Sequence, residues 1–237
     1  MRQTLVKLVS SPDLVDQVYR ALVDAISDGS LAPGQRITQE DIAAQLAVSR
    51  QPVLQALRQL KADGFVHDAP GRGVLVAPLE VDWVLRVYQV RGALDALAAR
   101  LAAASRQRID PALIQAGRDA AAGGDVAAMI NADMAFHHAI CAASGNPLIG
   151  QIATQHWRHL RRVMGAVLQT SSQRAAVWDE HQAIADAIHR GDTEGAATLI
   201  EQHSRDASRH LARQLSKVLQ ARTPAARSHP THAQGDT

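Results

Sequence analysis

The sequence predicts a mainly α-helical protein in two parts, an N-terminal helix-turn-helix with a β wing and a C-terminal all-α antiparallel helical bundle. Three observations predict it. Two short helical patterns meet across a tight break between residues 38 and 63, and β-rich runs flank the glycine turn Pro70-Gly-Arg-Gly73. From Pro78 to about Gln220 the apolar spacing is helical, with no further strand pattern. A hydrophobic share of 46% over 237 residues is enough for two cores.

The first helix is expected over about Asp13 to Asp28, stopping at the turn Gly29-Ser-Leu-Ala-Pro-Gly34. A second starts at Thr38-Gln-Glu-Asp41, where a Thr and an acid three residues on resemble a capping box, ahead of Ile42, Ala43 and Leu46 at helical spacing. After a break at Ala47-Val48, Ser49 is placed as the cap of a third helix, Arg50 to Asp63. Pro52 is tolerated there because N–H groups of the first turn lack intrahelical partners. Gly64 ends that helix. Phe65-Val66 and Val74-Leu75-Val76 read as the two strands of a wing with Arg72 at its tip. Bundle helices are expected near Val81 to Ser105, Pro111 to Ala122, Asp125 to Ser144, Pro147 to Gln169, Ser172 to Arg190 and Thr193 to Ala221. Gly123-Gly124, Gly145-Asn-Pro147 and Gly191-Asp192 punctuate them. Domain boundaries follow at 1–78 and 79–221, and residues 222–237, rich in Pro, Ala, His and Thr, read as a disordered tail.

Projected at 100° per residue, the third helix turns Val53, Ala56, Leu57 and Leu60 one way and Gln51, Leu54, Gln55 and Arg58 the other. The second face carries usable base-reading chemistry: Gln pairs bidentately with adenine, Arg with guanine or phosphate, and an aliphatic side chain touches a thymine methyl. Charge qualifies this reading. Residues 1 to 80 hold eight Lys and Arg against nine Asp and Glu, a net of −1, while the whole chain is +2 at pH 7. The useful cations are local, at Arg36, Arg50, Arg58, Lys61 and Arg72, so non-specific DNA affinity is expected to be modest and salt-dependent. A lone Cys141 forms no internal disulfide, no apolar run reaches membrane length, and Met1-Arg-Gln-Thr does not begin a signal peptide. A cytoplasmic protein without a membrane partner is expected.

In the bundle, four polar residues occupy apolar stripes. Asp133 and His137, four apart, share a face with Val126, Ile130, Met134 and Cys141. His181 is centred among Val177, Ile184 and Ile188, and His203 lies among Leu199, Ile200 and Ala207. Each histidine alone reads more readily as a hydrogen-bonded core residue than as a ligand. Four such placements together suit a shared divalent transition metal, Zn²⁺ foremost, with Ni²⁺, Mn²⁺ or Fe²⁺ as alternatives. Arg91 lies on the stripe Val84, Val87, Tyr88 and Leu94, and is read either as a carboxylate clamp or as a partner of Asp95. His159 and Arg162 are assigned to the same pocket. His138, His156, His189 and His210 read as edge or surface residues, and Trp83, Trp157 and Trp178 as packing.

The segment Ser49-Arg-Gln-Pro-Val-Leu-Gln-Ala-Leu57, with Leu60, Gly64-Phe-Val66 and Gly71-Arg-Gly73, resembles the winged helix of GntR-family bacterial transcription regulators. That resemblance implies double-stranded operator DNA as partner, with Arg50, Gln51 and Arg72 approaching it and the wing tip in the minor groove. The DNA-facing set is Thr38, Arg50, Gln51, Leu54, Gln55, Arg58, Gly71 and Arg72. Many relatives carry Arg-Glu where this chain has Leu54-Gln55, so A·T pairs are expected at that step. Asp133-x-x-Phe-His137, Glu180-His-x-x-Ile184 and His203 resemble the all-helical FCD effector domain of the FadR subfamily, closest to its VanR-like branch. In its metal-binding members the ligands are one Asp and three His, which implies Asp133, His137, His181 and His203. The resemblance further implies a homodimer, repression, and a small organic acid effector held by the metal and Arg91. Two other readings stay open: the ion itself as the signal, and a metal-dependent hydrolase with Glu180 as general base.

Overall fold

A computed structural model describes residues 14–168 and 176–222 of the chain. Helix α1 (Leu14–Ser27) buries Val18, Tyr19, Leu22, Val23 and Ile26, a stripe with helical spacing. Strand β1 (Arg36–Ile37) precedes α2 (Gln39–Gln45), where Thr38 Oγ1 accepts from the Asp41 amide at 3.2 Å and donates to Asp41 Oδ2 at 2.6 Å. The turn between helices is closed by Val48 N–H on the Ala43 carbonyl, 3.0 Å, and places Ala47 at φ 52°. Helix α3 (Arg50–Ala62) follows. Ser49 holds the N-cap position in extended conformation, yet its side chain makes no cap hydrogen bond. Instead Gln39 Nε2 donates to the Arg50 carbonyl at 2.7 Å, tying the start of α3 to α2.

The wing has one strand more than the sequence reading supplied. Strands β2 (Val66–Asp68) and β3 (Val74–Val76) pair antiparallel, and β1 adds to the other edge of β3, giving the order β1-β3-β2. Two residues are too few to show alternation, so β1 was invisible. β2 lies one residue later than expected because Phe65 is buried with the core, its amide bonded to the Leu60 carbonyl beyond the helix end. Gly73 has φ +87°, and a Cβ there would lie 2.5 Å from the Ile37 carbonyl oxygen, so the close approach of β1 demands glycine.

The helical half contains α4 (Val81–Ala104), α5 (Pro111–Gly123), α6 (Val126–Ala143), α7 (Pro147–Val167), α8 (Ala176–Arg190) and α9 (Thr193–Arg222). Starts are fixed by side-chain caps. Asp110 accepts from Ala112 N, Asp125 from Ala128 N and Asn146 from Leu148 N, with Pro111 and Pro147 at the first helical position. Helix α4 packs mainly along α9, and buried Ala96, Ala98, Ala99, Ala102 and Ala103 line it with small side chains. Gly117 of α5 leaves room for the Trp178 indole, which a Cβ would meet at 2.0 Å. The expected start of α8 at Ser172 and the expected tail from 223 onward lie outside the described residues. Among the described residues, no helix is long and apolar enough to cross a membrane.

Two hydrophobic clusters form. One runs from Val18 to Val76, the other from Leu79 to Leu215. They meet along α7. Arg158 Nη1 donates to Tyr19 Oη at 3.0 Å, Tyr19 in turn donates to Asp63 Oδ2 at 2.5 Å, and Arg161 pairs with Asp24 at 3.1 Å.

Candidate metal centre and nucleic-acid interface

On α3, Val53, Ala56, Leu57 and Leu60 are buried, Gln51 and Arg58 are exposed, and Leu54 and Gln55 are half-buried. Leu54, Arg58, Lys61, Arg72 and Gln39 line a groove of about 440 Å³ between α3 and the wing. The arginines divide their work. Arg36 donates to the Arg72 carbonyl at 3.0 Å and the Pro70 carbonyl at 2.7 Å, bracing the wing turn from behind. That leaves Gly71 and Arg72 exposed at the tip. Arg50 pairs with Glu40 at 3.3 Å on the surface, and Lys61 with Asp68 at 2.5 Å. Thr38 shares this face, but its hydroxyl is committed to capping α2.

In the helical half the four polar residues converge. One nitrogen or oxygen from each of Asp133, His137, His181 and His203 lies within 4.8 Å of the others. His181 Nε2 is 3.4 Å from His203 Nε2 and 3.5 Å from Asp133 Oδ1, and His137 Nε2 is 4.0 Å from the same oxygen. Donors at about 2.1 Å from one ion stand roughly 3.0 to 4.2 Å apart, so a slight contraction closes the set. Without a cation these atoms satisfy one another poorly. Both ring nitrogens of His137 and Nδ1 of His181 are buried with no hydrogen-bond partner. Burial drives the His137 and His181 pKa values well below the usual imidazole range and raises that of Asp133. Neutral imidazoles are the form that binds metal. His203 is oriented from behind, because Glu180 Oε2 accepts from its Nδ1 at 2.8 Å and turns Nε2 inward.

Aromatic rings pack this cluster. Phe136 stacks on His181 at 4.2 Å and Trp178 meets the same ring edge-on at 4.7 Å. Trp157 lies 5.3 Å from His137 and carries the Arg91 guanidinium 3.8 Å above its face. Arg91 pairs with Asp95, its Nε 3.0 Å from Asp95 Oδ2, and it also lines a cavity of about 150 Å³ with Tyr88, Asp133, Glu180 and His203. His159 and Arg162 do not line that cavity. They face the winged helix, where His159 stacks on Phe65 at 4.0 Å and meets the Asp63 carbonyl at 2.7 Å, while Arg162 donates to the Ala77 carbonyl at 2.7 Å. The stripe of α7 was assigned to the wrong neighbour, since a helix passing between two cores has two inward faces.

Three residues have supporting contacts that the sequence reading gave only in part. Asp95 is 3.5 Å from His137 Nδ1 as well as bound to Arg91, Trp157 is the floor beneath Arg91, and Arg36 holds the wing turn. The spacing of four already offered Asp95 as the partner of Arg91, while its approach to His137 left no signal. His138 and His156 are half-buried, each with a buried unpartnered ring nitrogen, whereas His189 is exposed. Leu199 is 38% exposed and does not share the His203 stripe.

Residues 14–76 match the family described as bacterial regulatory proteins, gntR family, and residues 86–206 match the FCD domain. A probable D-xylose utilization operon transcriptional repressor of Paenarthrobacter nicotinovorans is 28% identical over 203 residues, 83% of this chain and 88% of that protein. A putative L-lactate dehydrogenase operon regulatory protein of Escherichia coli is 29% identical over 220 residues, 81% of this chain and 83% of that one. Among solved structures, Escherichia coli McbR/YncC shares the fold with a TM-score of 0.73 at 23% identity, covering 87% of this chain and 99% of its own. A putative GntR regulator from a Rhodococcus species gives 0.67 at 25% identity, covering 83% and 96%.

Proposed function

Because the chain belongs to the GntR family of bacterial transcriptional regulators and carries an FCD domain, we propose that it is an operator-binding repressor released by a small carboxylate at a metal site. The division is 1–78 for DNA, 79–221 for effector and dimerisation. Within the family it is assigned to the FadR subfamily and its VanR-like branch. The observation that carries the effector reading is the meeting of Asp133, His203 and Arg91 on one cavity. Asp133, His137, His181 and His203 hold the ion, Zn²⁺ by donor set, and the bound ion supplies an acceptor site for a carboxylate oxygen. Arg91, kept charged by Asp95, offers hydrogen bonds to the same carboxylate. At about 150 Å³ the cavity is well below the ~300–1,000 Å³ of sites for drug-sized ligands, so an acid of a few carbons fits it best.

A homodimer presents two recognition helices to successive half-sites, and exposed Leu85 and Leu97 of α4 supply apolar surface for it. The hydrolase reading loses its base, because Glu180 is bound to His203, and the relatives are regulators. The purely metal-sensing reading leaves the Arg91 cavity without a role. The test is operator affinity by fluorescence anisotropy with the metal-loaded protein, titrated with a panel of two- to six-carbon acids. One acid is expected to weaken binding at least fivefold, with no effect on an Arg91→Met variant. Equal affinity across the panel, combined with a steep response to metal alone, replaces this reading with the sensor.

A further inference from the structure

The seam between the two domains contains a second cavity, of about 190 Å³, on the far side of α7 from the Asp133–His203 cluster. Leu79, Trp83, Val163 and Pro78 give it apolar walls, and Arg162 gives it a charge. Arg162 is only 5% exposed. One of its nitrogens, Nη2, donates to the Ala77 carbonyl, while Nε is buried with no partner. Among the described residues no carboxylate stands within 4.0 Å of it, in contrast to Arg91, the other buried arginine, which has Asp95. Burial lowers the guanidinium pKa only to about 10, so the charge persists at neutral pH. A buried cation without a counter-ion is expensive to keep.

Two acids do line the cavity. The Asp63 carboxylate is already bound by the Tyr19 hydroxyl, and Glu80 is exposed at the N-cap of α4 without an ion pair among the described residues. Neither neutralises Arg162. Both disfavour a dianion entering beside them, and the apolar walls favour a ligand with a short hydrocarbon part. We propose that this interdomain cavity binds a small monocarboxylate, its headgroup on Arg162 and its tail against Trp83 and Leu79. Such a ligand touches the end of α3 at Asp63 and Gly64 together with the connection at Ala77 to Glu80. It therefore bridges the winged helix and the bundle, at a place separate from the metal cluster.

Propionate is the probe, titrated calorimetrically into the full chain and into His203→Ala, which disables the metal pocket. One saturable site per chain that survives His203→Ala is the expected result. Arg162→Gln should weaken it at least tenfold. Leu79→Phe, which fills the cavity while leaving the Arg162–Ala77 bond in place, should abolish it, and this variant decides the matter if Arg162→Gln does not fold. Loss of the site in His203→Ala returns the signal to the metal pocket and overturns the proposal, as does binding that is unchanged in Leu79→Phe. Inorganic phosphate binding there more tightly than propionate overturns the assignment to a monocarboxylate.

Discussion

Acidification should loosen the winged helix from the bundle through one residue, His159. Its ring is stacked on Phe65 and lies 4.9 Å from Trp83, and burial, opposed by the Asp63 carbonyl, pushes its pKa from 6.5 down to about 4. A separated winged helix leaves the imidazole in water with an ordinary pKa near 6.5. The depressed group therefore contributes its full docking free energy above about pH 6.5, and loses it as pH falls towards 4, because the separated state binds the extra proton. Between pH 7 and pH 5 the loss comes to about 2 kcal/mol, an upper figure since the ring keeps some contact with solvent. Urea unfolding from pH 7.5 to 4.5 in wild type and His159→Gln measures it. The amide retains a hydrogen bond to Asp63 but does not titrate, so the variant's profile should be flatter by about one proton, with the two curves converging at low pH. The other buried histidines contribute equally to both and cancel. Parallel curves, or a His159 ring signal that titrates near pH 6.5 by NMR, would refute the reasoning.

Three further outcomes are expected. Glu180→Gln removes the carboxylate that orients His203 without touching the inner donors, and should weaken Zn²⁺ about 10–100-fold against a chelating dye. In Gly73→Ala the added methyl meets the Ile37 carbonyl at 2.5 Å from a backbone at φ +87°, so the wing should shift at a cost of about 2 kcal/mol or more, with weaker operator binding and unchanged metal content. Leu54→Arg places a guanidinium in the groove between α3 and the wing, and selection from random DNA should then enrich guanine at the step where A·T pairs are expected for the parent.

Much of this was legible because periodicity and punctuation agreed. The helices expected to start at Pro111 and Pro147 do start there, the one expected from Asp125 starts one residue later with Asp125 as its cap, and the stripe of Asp133 and His137 did turn inward. Convergence of α6, α8 and α9 on one point is a three-dimensional fact that spacing along a single helix does not contain. The same limit explains the misplacement of His159 and Arg162: a helical wheel gives a residue's azimuth but not which core that azimuth meets. β1 is held by its pairing to β3 and by Gly73, both distant in sequence.

Asp63 closes the C-terminal end of α3 and is gripped from two sides, its carboxylate by Tyr19 and its carbonyl by His159. The helix is thus clamped at its rear, and because Gln39 ties its far end at Arg50 to α2, the two helices would tilt together about that clamp. The 13 residues of α3 span about 20 Å. A tilt of roughly 10° at the clamp sweeps the far end through about 3.4 Å, the rise of one base pair. A rearrangement of α7 that tilted this clamp would thereby reach the scale on which a DNA sequence is read.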